Sequence, residues 1–153
     1  MFKPPNALII RHKKENLKKC SLTPVVKRED LLFFTYPFKT VVDFSACLLL
    51  TLDGPVLSEK DSGFPLLLID ATWHYAEKIV KSLPLLEKRT LPSHFKTAYP
   101  RYQTGCIDPN RGLSSIEALF VAFHITKRDT GGLLDRYYWK EPFLKQNSNF
   151  LGE

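Results

Sequence analysis

Residues 65–73 read Pro-Leu-Leu-Leu-Ile-Asp-Ala-Thr-Trp. An apolar run with no polar alternation marks a strand that is covered on both faces. The run stops at Asp70, and the hydrophobic period then changes. Trp73, Ala76, Val80 and Leu83 recur at steps of three and four, the spacing of one helix face. Pro84 ends or kinks that helix, because it lacks the N–H and crowds the preceding turn. A buried strand running straight into a helix is the repeating unit of a parallel α/β sheet.

Working outward, the same reading recurs. Residues 7–11 form a short apolar run closed by charge, and 31–36 an apolar and aromatic run bounded by charge and by Pro37. Residues 47–52 make another buried strand, which Asp53-Gly54-Pro55 is expected to end as a turn. Residues 13–19 are polar, loop or short helix, and 58–63 form a polar connection. A brief extended piece is expected at 90–92, followed by an irregular stretch, 93–112, rich in Pro, Tyr and basic residues. Ser114-Ser115-Ile116-Glu117 opens a second helix with Ile116, Leu119, Phe120 and Phe123 on one face, and a last helix is expected over 132–138. The fold class is therefore α/β, a mostly parallel sheet flanked by helices. Ligands of such sheets lie beyond the carboxyl ends of the strands. Residues 50–54, 70–73 and the loop leading into Ser114 fall there.

Composition narrows the function classes. The 153 residues suffice for one ordinary domain with its own core. The net charge is +6, and residues 1–30 hold eight Lys and Arg against three acids, which accounts for five of the six. A concentrated basic segment suits a phosphate-rich partner, although it is equally what a solvated lysine face looks like. Three cysteines (Cys20, Cys47, Cys106) at wide spacing are no disulfide framework, and without a Cys-x-x-Cys pair no metal site is expected. Cytoplasmic, reducing surroundings are expected. The opening residues have no signal-peptide apolar region, and no run approaches the ~20 apolar residues of a membrane span.

The chemistry-bearing residues each have a structural alternative. Asp70 or Thr72 could cap the first helix, with Trp73 as its first core residue. Alternatively, a carboxylate at a strand end beside a large aromatic could form half of a pocket for a cationic ligand such as a sulfonium. Ser114 with Glu117 three residues later is a capping box, and the helix N-terminus it makes is also an anion site. Lys88, Arg89, Lys96, Arg101 and Arg111 interleave with Phe95, Tyr99 and Tyr102, which suits phosphates and unpaired bases but also a loop pinned by its tyrosines. The four histidines form no triad. None of the seven glycines lies in a dinucleotide or P-loop pattern.

Taken together, the motifs resemble the aminocarboxypropyltransferases that modify small-subunit ribosomal RNA, and more distantly the DTW-domain tRNA aminocarboxypropyltransferases. Asp70-Ala71-Thr72-Trp73 matches their shared Asp-x-(Ser/Thr)-Trp signature. Leu113-Ser114-Ser115-Ile116-Glu117-Ala118 matches the ribosomal family's Leu-Ser-(Ser/Thr)-x-Glu-Ala motif, and Lys18-Lys19-Cys20-Ser21 is similar to its Lys-Lys-Cys-Thr. Thr90-Leu91-Pro92 with Ala98-Tyr99-Pro100 and Tyr102, and then Trp139, Phe143 and Asn147, follow the family order. The likeness runs from about Leu8 to Asn147. Asn16, Leu22-Thr23-Pro24 and Tyr99-Pro100-Arg101-Tyr102 depart from the pattern.

The resemblance implies a SPOUT-like fold with a C-terminal trefoil knot. It implies one compact domain over 1–153, with a basic N-terminal part (1–50) and a cofactor-binding, knotted part (51–153). The activity it implies is transfer of a 3-amino-3-carboxypropyl group from S-adenosylmethionine to a uridine- or pseudouridine-type base in RNA, ribosomal RNA or a pre-ribosomal particle, by a monomer. The implied cofactor residues are Ser21, Leu50, Ile69, Asp70, Trp73, Leu91, Arg111 and Ser115, with Asp70 as the catalytic base. Lys13, Lys14, Lys18, Lys19 and Arg101 are the implied RNA contacts. Two other functions fit the same residues: an RNA methyltransferase on a SPOUT fold, and a non-catalytic RNA-binding assembly factor.

Overall fold

The computed structural model describes residues 5–14, 21–99 and 112–151. Strands β1 (Ala7–His12), β2 (Leu31–Tyr36), β3 (Leu48–Val56), β4 (Leu66–Asp70) and β5 (Glu87–Thr90) form one sheet of order β2-β1-β4-β3-β5. Every pairing in it is parallel. Helices α1 (Trp73–Ser82), α2 (Ser115–Ile125) and α3 (Lys140–Gln146) complete the regular elements, with short 3-10 turns between.

Strand alternation sorts the apolar residues onto two faces. Ala7, Ile9, Leu48, Leu66 and Leu68 pack on one core, to which α2 contributes Ile116, Leu119 and Phe123 and α3 contributes Phe143. Leu8, Ile10, Leu49 and Leu67 point the other way and pack with Ile79 of α1 and with Leu86. Burial of both faces is why these strands carry unbroken apolar runs instead of alternation.

The α/β class and the parallel sheet agree with the apolar runs. The SPOUT-like knotted arrangement implied by the resemblance is corrected: the described chain is a five-stranded parallel α/β sheet with helices on its faces. Short motifs report residues that line a pocket. They carry no information about how the chain threads, and threaded connections are rare among folds.

Three element expectations also change. Strand β3 runs through the expected turn at 53–55 to Val56. Both Thr51 and Val56 pair with Thr90, so residues 52–55 bulge out of the ladder between them. The bulge depends on Gly54, whose φ is +105°. A Cβ there would lie 3.2 Å from the Lys88 Cβ. Gly54→Ala is therefore expected to cost about 1–2 kcal/mol, read as a lower urea midpoint. An unchanged midpoint would mean that the bulge relaxes freely. The expected helix over 132–138 is a series of turns, begun by Gly132 at φ +82°, and the helix forms later as α3. Pro142 sits in the first turn of α3, where its missing N–H leaves no hydrogen bond unmade. β5 starts at Glu87, earlier than the piece expected at 90–92. As the last strand in the sheet order it buries only part of its surface, which explains its polar sequence.

Candidate ligand site at the carboxyl end of the sheet

The strands β3 and β4 pair only through Leu48↔Leu66 and Leu49↔Leu67. Beyond that point β4 continues along β1 to Asp70, while β3 continues along β5. Two parallel strands that part at their carboxyl ends leave a crevice, the usual place for a ligand in an α/β sheet. Leu50 stands on one lip, and Ile69 and Asp70 on the other.

The N-terminus of α2 closes on this crevice. Asp70 follows the alternation of Leu66 and Leu68, so it faces α2, and the Ser115 hydroxyl donates to its Oδ1 at 2.5 Å. From the other side of the sequence, the Ser21 Oγ accepts from the Ile116 N–H at 3.2 Å. Ser114 caps α2 in the reciprocal box that the sequence suggests: its Oγ accepts from the Glu117 N–H, and its own N–H donates to Glu117 Oε1 at 2.8 Å. Residues 21, 70 and 115 thus meet within one hydrogen-bonded turn of helix. Asp70 does not cap α1. The N-cap of that helix is Thr72, which makes no side-chain capping bond.

Glu117 does more than cap. It is fully buried, and besides Ser114 it accepts from the Thr97 hydroxyl at 2.6 Å, the Ala98 N–H at 2.9 Å and the Tyr137 hydroxyl at 3.0 Å. Burial pushes the Tyr137 phenol well above its usual range, so it remains protonated and able to donate. Buried Asn147 holds the same segment. Its Oδ1 accepts from the Lys96 N–H at 2.8 Å, and its Nδ2 donates to the Lys96 carbonyl at 2.8 Å. These two side chains tie the segment after Leu91 to α2 and α3.

Of the residues singled out by sequence, Asp70, Ser115 and Ser21 come together. Leu50 and Leu91 are half-buried and pack against the α2-side core. Ile69 turns its side chain to the opposite face, against the α1-side core, so only its backbone borders the crevice. Trp73 opens α1, and its side chain lies outside the described part of the structure. Lys13 and Lys14 are exposed in the turn after β1, at the same end of the sheet. Lys18, Lys19, Arg101 and Arg111 lie outside the described residues.

Sequence reasoning passed over Arg11, Thr97 and Tyr137. Arg11 had a signal: in the run Ala-Leu-Ile-Ile-Arg it falls on the same face as Ala7 and Ile9, where a charge is out of place. Tyr137 and Thr97 had none, since each acts through a contact with Glu117 twenty residues away in sequence.

Two surface hollows lie elsewhere, one between α1 and β5 and one at the far end of α2. Both are lined largely by aliphatic and aromatic side chains, and neither includes a carboxylate. In the crevice above Asp70, apolar walls, hydroxyls, a carboxylate and a helix N-terminus coincide. That combination places the chain in a class, α/β proteins whose sheet end offers groups suited to a small ligand of mixed charge.

Comparison with known proteins is consistent with that class. The chain is 26% identical over 157 residues to the 16S rRNA aminocarboxypropyltransferase of Methanocaldococcus jannaschii, covering 99% of this chain and 87% of that one. It superposes with a TM-score of 0.72 on the SAM-dependent rRNA:acp-transferase Tsr3 from Vulcanisaeta distributa, at 20% identity, over 98% of this chain and 82% of the other. No family model matches the chain.

Proposed function

We propose that this chain is an S-adenosylmethionine-dependent RNA aminocarboxypropyltransferase acting on a uridine- or pseudouridine-type base of ribosomal RNA. The observation that carries the reading is the junction of Asp70, Ser115 and Ser21 at the mouth of the β3/β4 crevice. The curated relative, aligned along almost the whole chain and bearing that activity in its name, supports it. The ligand's parts suit the residues available. A sulfonium cation is favoured by the Asp70 carboxylate, and an amino-acid group by hydroxyls at a helix N-terminus. An adenosine is suited by apolar lips such as Leu50 and Leu91.

In the reaction, a ring nitrogen of the base attacks the chain carbon next to sulfur. The new N–C bond forms as that C–S bond breaks, methylthioadenosine leaves, and the ring N–H proton passes to a base. Asp70 is the group proposed to receive it, and holding the two reactants in line supplies much of the rate. Trp73 and Arg111 belong to the proposed cofactor set, and Lys13, Lys14, Lys18, Lys19 and Arg101 to the proposed RNA contacts. The proposal takes 1–153 as one unit acting as a monomer in the cytoplasm, with 1–50 its basic part.

The deciding experiment supplies total RNA that lacks the modification, together with S-adenosylmethionine labelled either in the carboxypropyl chain or in the methyl group. Chain label in RNA with release of methylthioadenosine is the expected result. Methyl label in RNA would instead establish a methyltransferase. Neither label, with RNA still bound, would establish a non-catalytic binder. If Lys13 and Lys14 contact phosphates, replacing both with alanine should lower the slope of log affinity for RNA against log salt by about 1–2. An unaltered slope would remove them from the RNA surface.

A further inference from the structure

Arg11 is 9% exposed, yet its side chain donates no hydrogen bond and joins no ion pair among the described residues, and its Nε is buried without a partner. The other arginine with a buried, unpartnered Nε, Arg128, is a contrast. Its remaining nitrogens donate to the carbonyls of Asn6, Asp61, Ser62 and Phe64. Among the described residues, the Arg11 guanidinium meets the face of Phe33, 4.7 Å from the ring centroid. Its Nε is the atom buried without a partner, while the two terminal nitrogens reach the surface of the site with a ring face as their neighbour, which leaves them open to an anion.

Its place in the sheet says where that anion sits. Arg11 is the register partner of Asp70 on the adjacent strand, and by strand alternation both face α2. The guanidinium lies over Phe33, toward β2, while the Ser115 hydroxyl donates to Asp70. On that face the α2 N-terminus adds its own preference for negative charge. We infer that Arg11 anchors an oxyanion subsite, whose occupant is the carboxylate of a small ligand's amino-acid part. A buried guanidinium admits a planar carboxylate, which it can bind through two parallel hydrogen bonds. With 9% of its surface exposed, Arg11 leaves little room for the bulk of an RNA backbone. The inference rests on the proposed function, where the ligand is S-adenosylmethionine and Arg11 would be a binding residue that selects the carboxylated cofactor.

The test is calorimetric titration of the full chain with S-adenosylmethionine, its decarboxylated analogue and methylthioadenosine, for the native protein, Arg11→Lys and Arg11→Met, with ligand-free thermal melts of each. The native chain should prefer the carboxylated over the decarboxylated ligand by about ten- to a hundredfold. Arg11→Met should abolish that preference, leave methylthioadenosine affinity unchanged, and melt at the native temperature or a few degrees higher, because an unpartnered buried charge has gone. Arg11→Lys should fall between. If Arg11→Met keeps the preference, the subsite is refuted while the proposed function stands. A lower melting temperature with loss of all three ligands would make Arg11 a packing residue and overturn the inference. Retained preference with weakened RNA binding would make it a phosphate contact, again overturning it. If the native chain binds none of the three ligands, the proposed function itself falls and takes the carboxylate with it.

Discussion

Replacing Glu117 with leucine is expected to lower the stability of the chain by about 4 kcal/mol. Four donors converge on its two oxygens: the N–H groups of Ser114 and Ala98 and the hydroxyls of Thr97 and Tyr137. Leucine would fill the volume but leave these donors facing hydrocarbon. An unsatisfied buried donor costs roughly 1–3 kcal/mol, and some of the four would regain water as the 97–99 segment loosens, so the full sum is not reached. Against a typical total of about 5–15 kcal/mol, the loss is a large fraction. Glu117→Gln keeps the shape but turns an N–H₂ group toward two donors, and about half the loss is expected. Urea unfolding measures both. A loss under about 1 kcal/mol for the leucine variant would mean that the network is replaced by water without penalty, and that Glu117 does not organise this end of the sheet.

If Asp70 has the proposed role, Asp70→Asn cuts the transfer rate by about a hundredfold or more with the fold intact. The amide oxygen can still accept from the Ser115 hydroxyl, so the local geometry survives while the negative charge is removed. Two effects then combine. The sulfonium loses its nearby carboxylate, which weakens cofactor binding, and the ring proton loses its acceptor, which slows the chemical step. Separate measurement of cofactor affinity and of single-turnover rate distinguishes them. A single-turnover rate within threefold of native would remove Asp70 from the chemistry. Ser115→Ala should be milder, since it removes one donor to the carboxylate without neutralising it.

Much of this was readable from the chain alone. The unbroken run Leu66–Asp70 and the change of period after it determined a doubly covered parallel strand followed by a helix, because burial on both faces admits no polar alternation. The Ser114–Glu117 spacing determined the start of α2, because a capping box is purely local geometry. Local signals misled where neighbours outweighed them. Asp53-Gly54-Pro55 reads as the end of a strand, yet pairing with β5 resumes at Val56 and carries the strand past it. The helix expected over 132–138 is a series of turns after the double glycine at 131–132, and the helix forms later as α3.

Tertiary structure alone decided which residues share the site. That Ser21 meets the helical turn that carries Ser115 follows from a hydrogen bond across 95 residues of sequence, and that Asp70 faces Ser115 instead of capping α1 follows from strand parity. It also decided that Glu117, Tyr137 and Asn147 brace the segment after Leu91, and that the Arg11 Nε is buried without a hydrogen-bond partner. Residue type and spacing specify elements, since backbone hydrogen bonding and side-chain periodicity are local. Burial, pairing and the absence of a partner are set by what arrives from far along the chain, and they exist only once the sheet has closed around them.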